Sequence, residues 1–158
     1  MRMTDEYYMK LALEQAQKAG RMDEVPVGAV VVSGAGHMIG YGHNRPISEC
    51  DPTSHAEMEA IRMAARAVGN YRLPDTVLYA TLEPCIMCMA AVVHARIKRV
   101  VFGASDPKWG GAGSIVDLAA GTGLNHEVEV TRGICREEAS EILRNFFKNK
   151  RSRMCQIQ

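Results

Sequence analysis

A chain of 158 residues, 47% hydrophobic and 23% charged, can bury one core without disulfide staples and reads as a single domain over 1–158. A net charge of +1 excludes a strong global attraction to nucleic acid, so any such partner must be held by a local patch. Five cysteines, an odd number, with no charged-then-apolar export signal and no apolar run of bilayer length, point to a reducing, cytoplasmic setting and no membrane partner.

In chain order, Met9, Ala12, Leu13 and Ala16 recur at helical spacing, and Gly20 ends that first helix. Val27 to Ser33 is an almost continuous apolar run rich in β-branched residues. Gly34-Ala35-Gly36 then turns the chain into a second strand from about His37 to Gly42, so the pair reads as a hairpin. Asp51-Pro52-Thr53-Ser54 offers capping side chains before the helix that follows His55. In that helix Ile61, Ala64, Ala65 and Val68 define a buried face, with Glu59, Arg62 and Arg66 on the solvated one. Thr76 to Thr81 and Arg99 to Phe102 read as buried strands around a helix from Cys85 to about His94, in which Ile86, Met89, Ala90 and Val93 pack the core. Glu127 to Thr131 is a fifth strand, and Arg136 to Lys150 the last helix. A hairpin followed by strand–helix–strand units implies an α/β sandwich with a mixed sheet.

Two short motifs carry chemistry. His55-Ala56-Glu57 and Pro84-Cys85-Ile86-Met87-Cys88 together supply one imidazole and two thiolates, three ligands for zinc with a fourth position left for water. Three protein ligands and an open position is the pattern of a catalytic zinc, whereas a structural zinc is closed by four. Pro84 suits the first position of a helix, where its missing amide hydrogen is not needed. Cys85 and Cys88 then share one face at the positive helix end, which favours thiolate. Glu57, four residues before Ile61, leads the inward face; burial raises a carboxylate's pKa toward the range useful for proton transfer. Other readings of each piece stay open. A lone C-x-x-C suits a redox pair, and Cys50 or Cys135 would complete a closed zinc knot. Glu57 also suits a helix cap.

The joint pattern resembles that of zinc-dependent nucleobase deaminases. The likeness runs through Glu24-Val25-Pro26-Val27-Gly28-Ala29, Gly42-His43-Asn44-Arg45-Pro46-Ile47, Asp51-Pro52-Thr53-Ser54 and Thr81-Leu82-Glu83-Pro84. It continues through Arg99-Val100-Val101-Phe102-Gly103-Ala104, Asp106 and Gly113-Ser114. The metal motifs are common to the whole cytidine deaminase-like superfamily. The Asn-Arg-Pro-Ile, Asp-Pro-Thr and Phe-Gly-Ala…Asp segments resemble the bacterial tRNA-specific adenosine deaminases within it. That resemblance implies a three-layer sandwich with a five-stranded mixed sheet between helices. It also implies one Zn2+ per subunit, a homodimer, and conversion of adenosine to inosine at the wobble position (34) of a tRNA anticodon stem-loop. The chain departs from the family pattern at Trp109, where a small or polar residue is usual, and in its Cys155-containing tail.

In this reading Zn2+ on His55, Cys85 and Cys88 activates water, and Glu57 moves the protons. Asn44 reads the adenine edge and the Ala56 amide orients the base, although Asn44 also suits a plain turn residue before Arg45-Pro46. At the end of the last helix, beyond the stripe of Ala139, Ile142, Leu143 and Phe146, Lys148, Lys150, Arg151 and Arg153 cluster around Phe147. The cluster suits RNA contact and equally a solvated helix end. The Asp106 to Trp109 loop is the other candidate RNA surface. The candidate substrate-binding set is therefore Asn44, Ala56, Asp106, Lys108, Phe147 and Lys150. A deaminase of a free base or nucleoside, and a non-catalytic zinc module with four protein ligands, are the alternatives.

Overall fold

Strands whose side chains are buried on both faces need cover on both sides, and this chain supplies it with helices. The computed structural model describes residues 3–120 and 123–155. Among these, in order, lie α1 (Asp5–Arg21), β1 (Gly28–Ser33), β2 (Met38–His43), α2 (Ala56–Val68), β3 (Thr76–Leu82), α3 (Ile86–His94), β4 (Arg99–Ala104), β5 (Glu129–Arg132) and α4 (Arg136–Cys155). The strands form one sheet in the order β2-β1-β3-β4-β5. β1 runs antiparallel to β2 and β3, while β3, β4 and β5 are parallel. This is the expected mixed five-stranded sheet between helices.

Side-chain alternation divides the core in two. Ala29, Val31, Leu78, Ala80, Val100 and Phe102 pack with Ala60 and Ile61 of α2 and Met89 and Val92 of α3. Their strand neighbours Val30, Val32, Val77, Tyr79 and Val101 pack with Met9, Ala12 and Leu13 of α1 and Ala139 of α4. Thr4 caps α1 by accepting from the Tyr7 N–H, with Asp5 and Glu6 in the positive first turn. The Asp5 carboxylate accepts from both terminal guanidinium nitrogens of Arg99, at 3.1 and 2.6 Å, and from the Tyr79 hydroxyl at 2.8 Å, tying α1 to the sheet.

Three expectations shift. The face of α2 turned inward is Ala56, Glu57, Ala60, Ile61 and Ala64, while Val68 is 49% exposed. Glycines in β2 cause this: a Cβ at Gly42 would lie 2.6 Å from the Ala56 carbonyl oxygen, and one at Gly40 2.3 Å from that of Ala60. The helix rests directly on β2 through its alanines. β5 starts at Glu129 rather than Glu127, because its pairing with β4 begins at Arg99↔Glu129. α4 continues past Lys150 to Cys155. No glycine or proline interrupts it, and the Ser152 hydroxyl donates to the Lys148 carbonyl at 3.1 Å.

Candidate metal centre and active site

One end of the sheet gathers the chemistry. The carboxyl ends of β2, β3 and β4 lead into Asn44, into Glu83-Pro84-Cys85 and into Ser105-Asp106. The start of β1 meets them there, since the Asn44 N–H donates to the Val27 carbonyl at 3.1 Å. Sites in α/β sheets form outside the carboxyl ends of parallel strands, where loops diverge.

His55 and Cys85 are the N-cap residues of α2 and α3, both with extended backbone and neither making a side-chain capping bond. Two positive helix ends thus converge on the ligand atoms, which favours thiolate there. Pro84 lies one position before the N-cap, not at the first helical position, because Cys85 turns out of the helix. The ligand atoms of His55, Cys85 and Cys88 lie within 4.8 Å of one another. His55 Nδ1 is 3.6 Å from each sulfur. A tetrahedral zinc with Zn–S of about 2.3 Å and Zn–N of about 2.0–2.1 Å spans an N···S edge of about 3.6 Å, so the donor set fits. Among the described residues Cys50 and Cys135 stand outside this group, which leaves the fourth position open.

The charges agree. The Cys85 thiol is pushed down to about 4, first by its hydrogen bond with Cys88 and then by His55. Cys88 is pushed up by the Cys85 sulfur and by burial. Two sulfurs on one imidazole nitrogen carry two negative charges together only when a cation lies between them. Glu57, 3% exposed on the second residue of α2, has a carboxyl raised to about 7 by burial. A carboxyl poised there both accepts and returns protons at neutral pH. Glu57 borders a cavity, and its carboxylate also accepts from its own backbone N–H in the first turn of α2.

His55, Glu57 and Cys85 border a cavity of about 1160 Å³, shared with Asn44, Trp109 and Phe147. Asn44 is 9% exposed, and its Oδ1 accepts from the Ala56 N–H at 2.9 Å. That bond ties the Asn44 side chain to the first turn of α2, with Asn44 bordering the cavity. It also engages the Ala56 N–H, and Ala56 is fully buried, so this amide holds Asn44 rather than facing a ligand.

Asp106, Lys108 and Phe147 border the cavity. Asp106 Oδ1 accepts from the N–H groups of Lys108 and Trp109, so this carboxylate shapes its own loop. Lys150 is not in the cavity wall; its Nζ sits 5.4 Å from the Phe146 ring centroid. Ile86, expected in the core, is 38% exposed and borders the cavity.

Two buried carboxylates went unread in the sequence. Glu83, 2% exposed, accepts from the N–H groups of Asp106, Ala112 and Ser114 and from the Ser114 hydroxyl, pinning the loop after β4. Glu24, 1% exposed, does the same for the loop after β2 through Ile47 and Ser48. Burial works to raise the Glu24 pKa, but the Ser48 and Ile47 donors and nearby Lys150 outweigh it and leave it lowered. A charged residue flanked by apolar ones, Leu82-Glu83-Pro84, was the available signal.

Comparison with known proteins agrees with this geometry. Residues 2–104 match the family described as the cytidine and deoxycytidylate deaminase zinc-binding region. A tRNA-specific adenosine deaminase of Haemophilus influenzae is 50% identical over 147 residues, covering 93% of this chain and 85% of that one. One from Agrobacterium fabrum is 47% identical over 145 residues, covering 92% and 95%. A solved structure, from studies of A-to-I editing by tRNA:A34 deaminases at the wobble position, superposes with a TM-score of 0.83 at 46% identity. It covers 87% of this chain and 99% of that one.

Proposed function

The chain belongs to the zinc-binding cytidine and deoxycytidylate deaminase family, and from that premise we propose that it deaminates adenosine to inosine at the wobble position (34) of tRNA. The observation that carries the reading is a three-ligand metal site opening, beside a buried carboxyl, into a cavity whose wall also carries the exposed Lys108, Trp109 and Phe147.

His55, Cys85 and Cys88 would hold zinc, which when bound supplies a Lewis acid that makes water a nucleophile near neutral pH. Glu57 takes the proton that the attacking water loses at C6 and passes it to the ring nitrogen N1. It then moves the second proton from the new C6 hydroxyl to the amino group, which leaves as ammonia. Adenosine and water thus give inosine and ammonia, and Glu57 ends as it began. Asn44, oriented by the Ala56 N–H, donates to an acceptor on the bound nucleoside. The target base must leave any stack to enter, which an unpaired anticodon loop makes easy.

The substrate is the anticodon stem-loop, held by groups around the cavity mouth that include Lys108 and Phe147. The working species is a homodimer. Exposed Met63 and Val68 on α2, with Ile115 and Val116, supply apolar surface for a second copy. A tRNA substrate puts the working compartment in the cytoplasm, and the five cysteines are all free thiols. Among the described residues no helix is long and apolar enough to cross a membrane.

The test is incubation of the zinc-loaded protein with an anticodon stem-loop bearing adenosine at the wobble position, read for inosine, with free cytidine and guanine in parallel. Inosine in the RNA and little turnover of the free compounds is the expected result. Efficient deamination of a free compound with none of the RNA overturns it. Sedimentation equilibrium settles the dimer: a monomer at micromolar concentration refutes that part.

A further inference from the structure

Trp109 is left over by the chemistry so far. It is the chain's only tryptophan and is 66% exposed. Among the described residues no other ring or cation packs on its face. Its backbone is nevertheless firmly held. The Trp109 N–H donates to Asp106 Oδ1 at 3.2 Å, and the next N–H, of Gly110, to the Asp106 carbonyl at 3.0 Å. Gly110 bridges to Cys85, and the Gly111 N–H donates to the Pro84 carbonyl at 2.8 Å. Glu83 anchors the loop from beneath, so close that a Cβ at Gly110 would lie 2.5 Å from its carboxyl carbon. The indole is therefore displayed from a fixed backbone on the wall of the cavity that holds Asn44, His55 and Glu57.

A base drawn into that cavity leaves its neighbours in the strand without a stacking partner, and each exposes an apolar face. An unpacked indole on a pre-ordered loop covers such a face while losing little conformational freedom. Exposed Lys108 beside it supplies charge for the adjoining phosphate. We infer that Trp109 stacks on one of the two nucleotides flanking the target adenosine and so influences which sequence context is accepted. The inference rests on the tRNA-editing reading above.

The single tryptophan makes the test direct, because all indole emission reports this residue. Zinc-loaded protein is titrated with the wobble-adenosine stem-loop while emission is followed, and RNA binding is measured separately by anisotropy of end-labelled RNA. Quenching should track binding, and an abasic site at one flanking position, not the other, should relieve it. Trp109→Ala and Trp109→Leu should each bind RNA roughly 5- to 150-fold more weakly, with KM raised to match, the range of one base–aromatic stack, and Trp109→Phe should recover much of it. Leucine separates stacking from mere apolar cover. Unchanged emission at saturating RNA, or a Leu variant matching the parent, overturns the inference while inosine formation by the parent leaves the editing reading intact. If no stem-loop yields inosine, the editing reading fails and the stacking role falls with it.

Discussion

Glu57→Gln keeps the volume and polarity of the side chain and removes only its capacity to carry protons. Zinc content, measured by atomic emission, should match the parent, while turnover falls by roughly 10²- to 10⁴-fold. A variant with full zinc and full turnover would remove Glu57 from the mechanism. His55 supplies a pH prediction. It must be neutral to hold a metal, and its pKa is raised, first by the hydrogen bond with Cys85 and then, against the opposing effect of burial, by Glu57. A raised value means that protons compete for Nδ1 already above the ordinary histidine pKa of about 6.5. Zinc extraction by a chelator should therefore accelerate as pH falls through that region and slow as pH rises. A flat extraction rate from about pH 5 to pH 8 would contradict it. The grouping of His55, Cys85 and Cys88 and the burial of Glu57 were legible in the sequence, because metal ligation restricts residue type and Glu57 leads the inward face of its helix. Glu83 and Glu24 were not, because their partners are mostly backbone N–H groups, which almost any sequence supplies.

At the scale of elements, the catalytic end is built from strand ends, while two buried carboxylates fix the loops between them. Glu83→Gln keeps the shape but replaces one acceptor oxygen with a donor that faces N–H groups already donating. Hydrogen bonds to a charged group are worth about 1.5–3 kcal/mol, so the loop carrying Asp106 to Trp109 should loosen. The expected outcome is a raised KM for the stem-loop with zinc content unchanged; unchanged KM would show that the loop holds its shape without Glu83. The elements themselves were largely legible, since buried strands and amphipathic helices write their periods into the chain. Their ends were less so. The helix after Cys85 starts one residue late because the ligand occupies the cap, and β5 starts late because β4 sets its register. The inward face of α2 depends on Gly40 and Gly42 in another element, which helical periodicity within α2 does not reveal.

Across the whole molecule, a net charge of +1 means that affinity for RNA must come from local groups. Lys148 and Arg151 are exposed on α4, which also carries Phe147 into the cavity wall, whereas Lys150 covers Phe146. Replacing Lys148 and Arg151 with alanine should weaken stem-loop binding and flatten its salt dependence by about 0.7 in logarithmic slope for each phosphate that is no longer neutralised. An identical slope for variant and parent would move the RNA surface away from α4. Strand order lay beyond the sequence reading. A hairpin and two strand–helix–strand units are compatible with several neighbours for β1, and only packing selects β3.

The ligands sit at the first turns of α2 and α3, whereas the sheet and the remaining turns of those helices bury the core. Metal and core are therefore separate sources of order, unlike the small zinc domains in which binding is folding. Stripping zinc should leave far-ultraviolet circular dichroism almost unchanged, while amide hydrogen exchange quickens around residues 56–59 and 86–89 and stays slow in β1, β3 and β4. Loss of ellipticity across the chain on stripping would show the two to be one cooperative unit. With the separation intact, newly made protein can persist folded until metal arrives, and the ion enters a donor set that two helix ends already hold together.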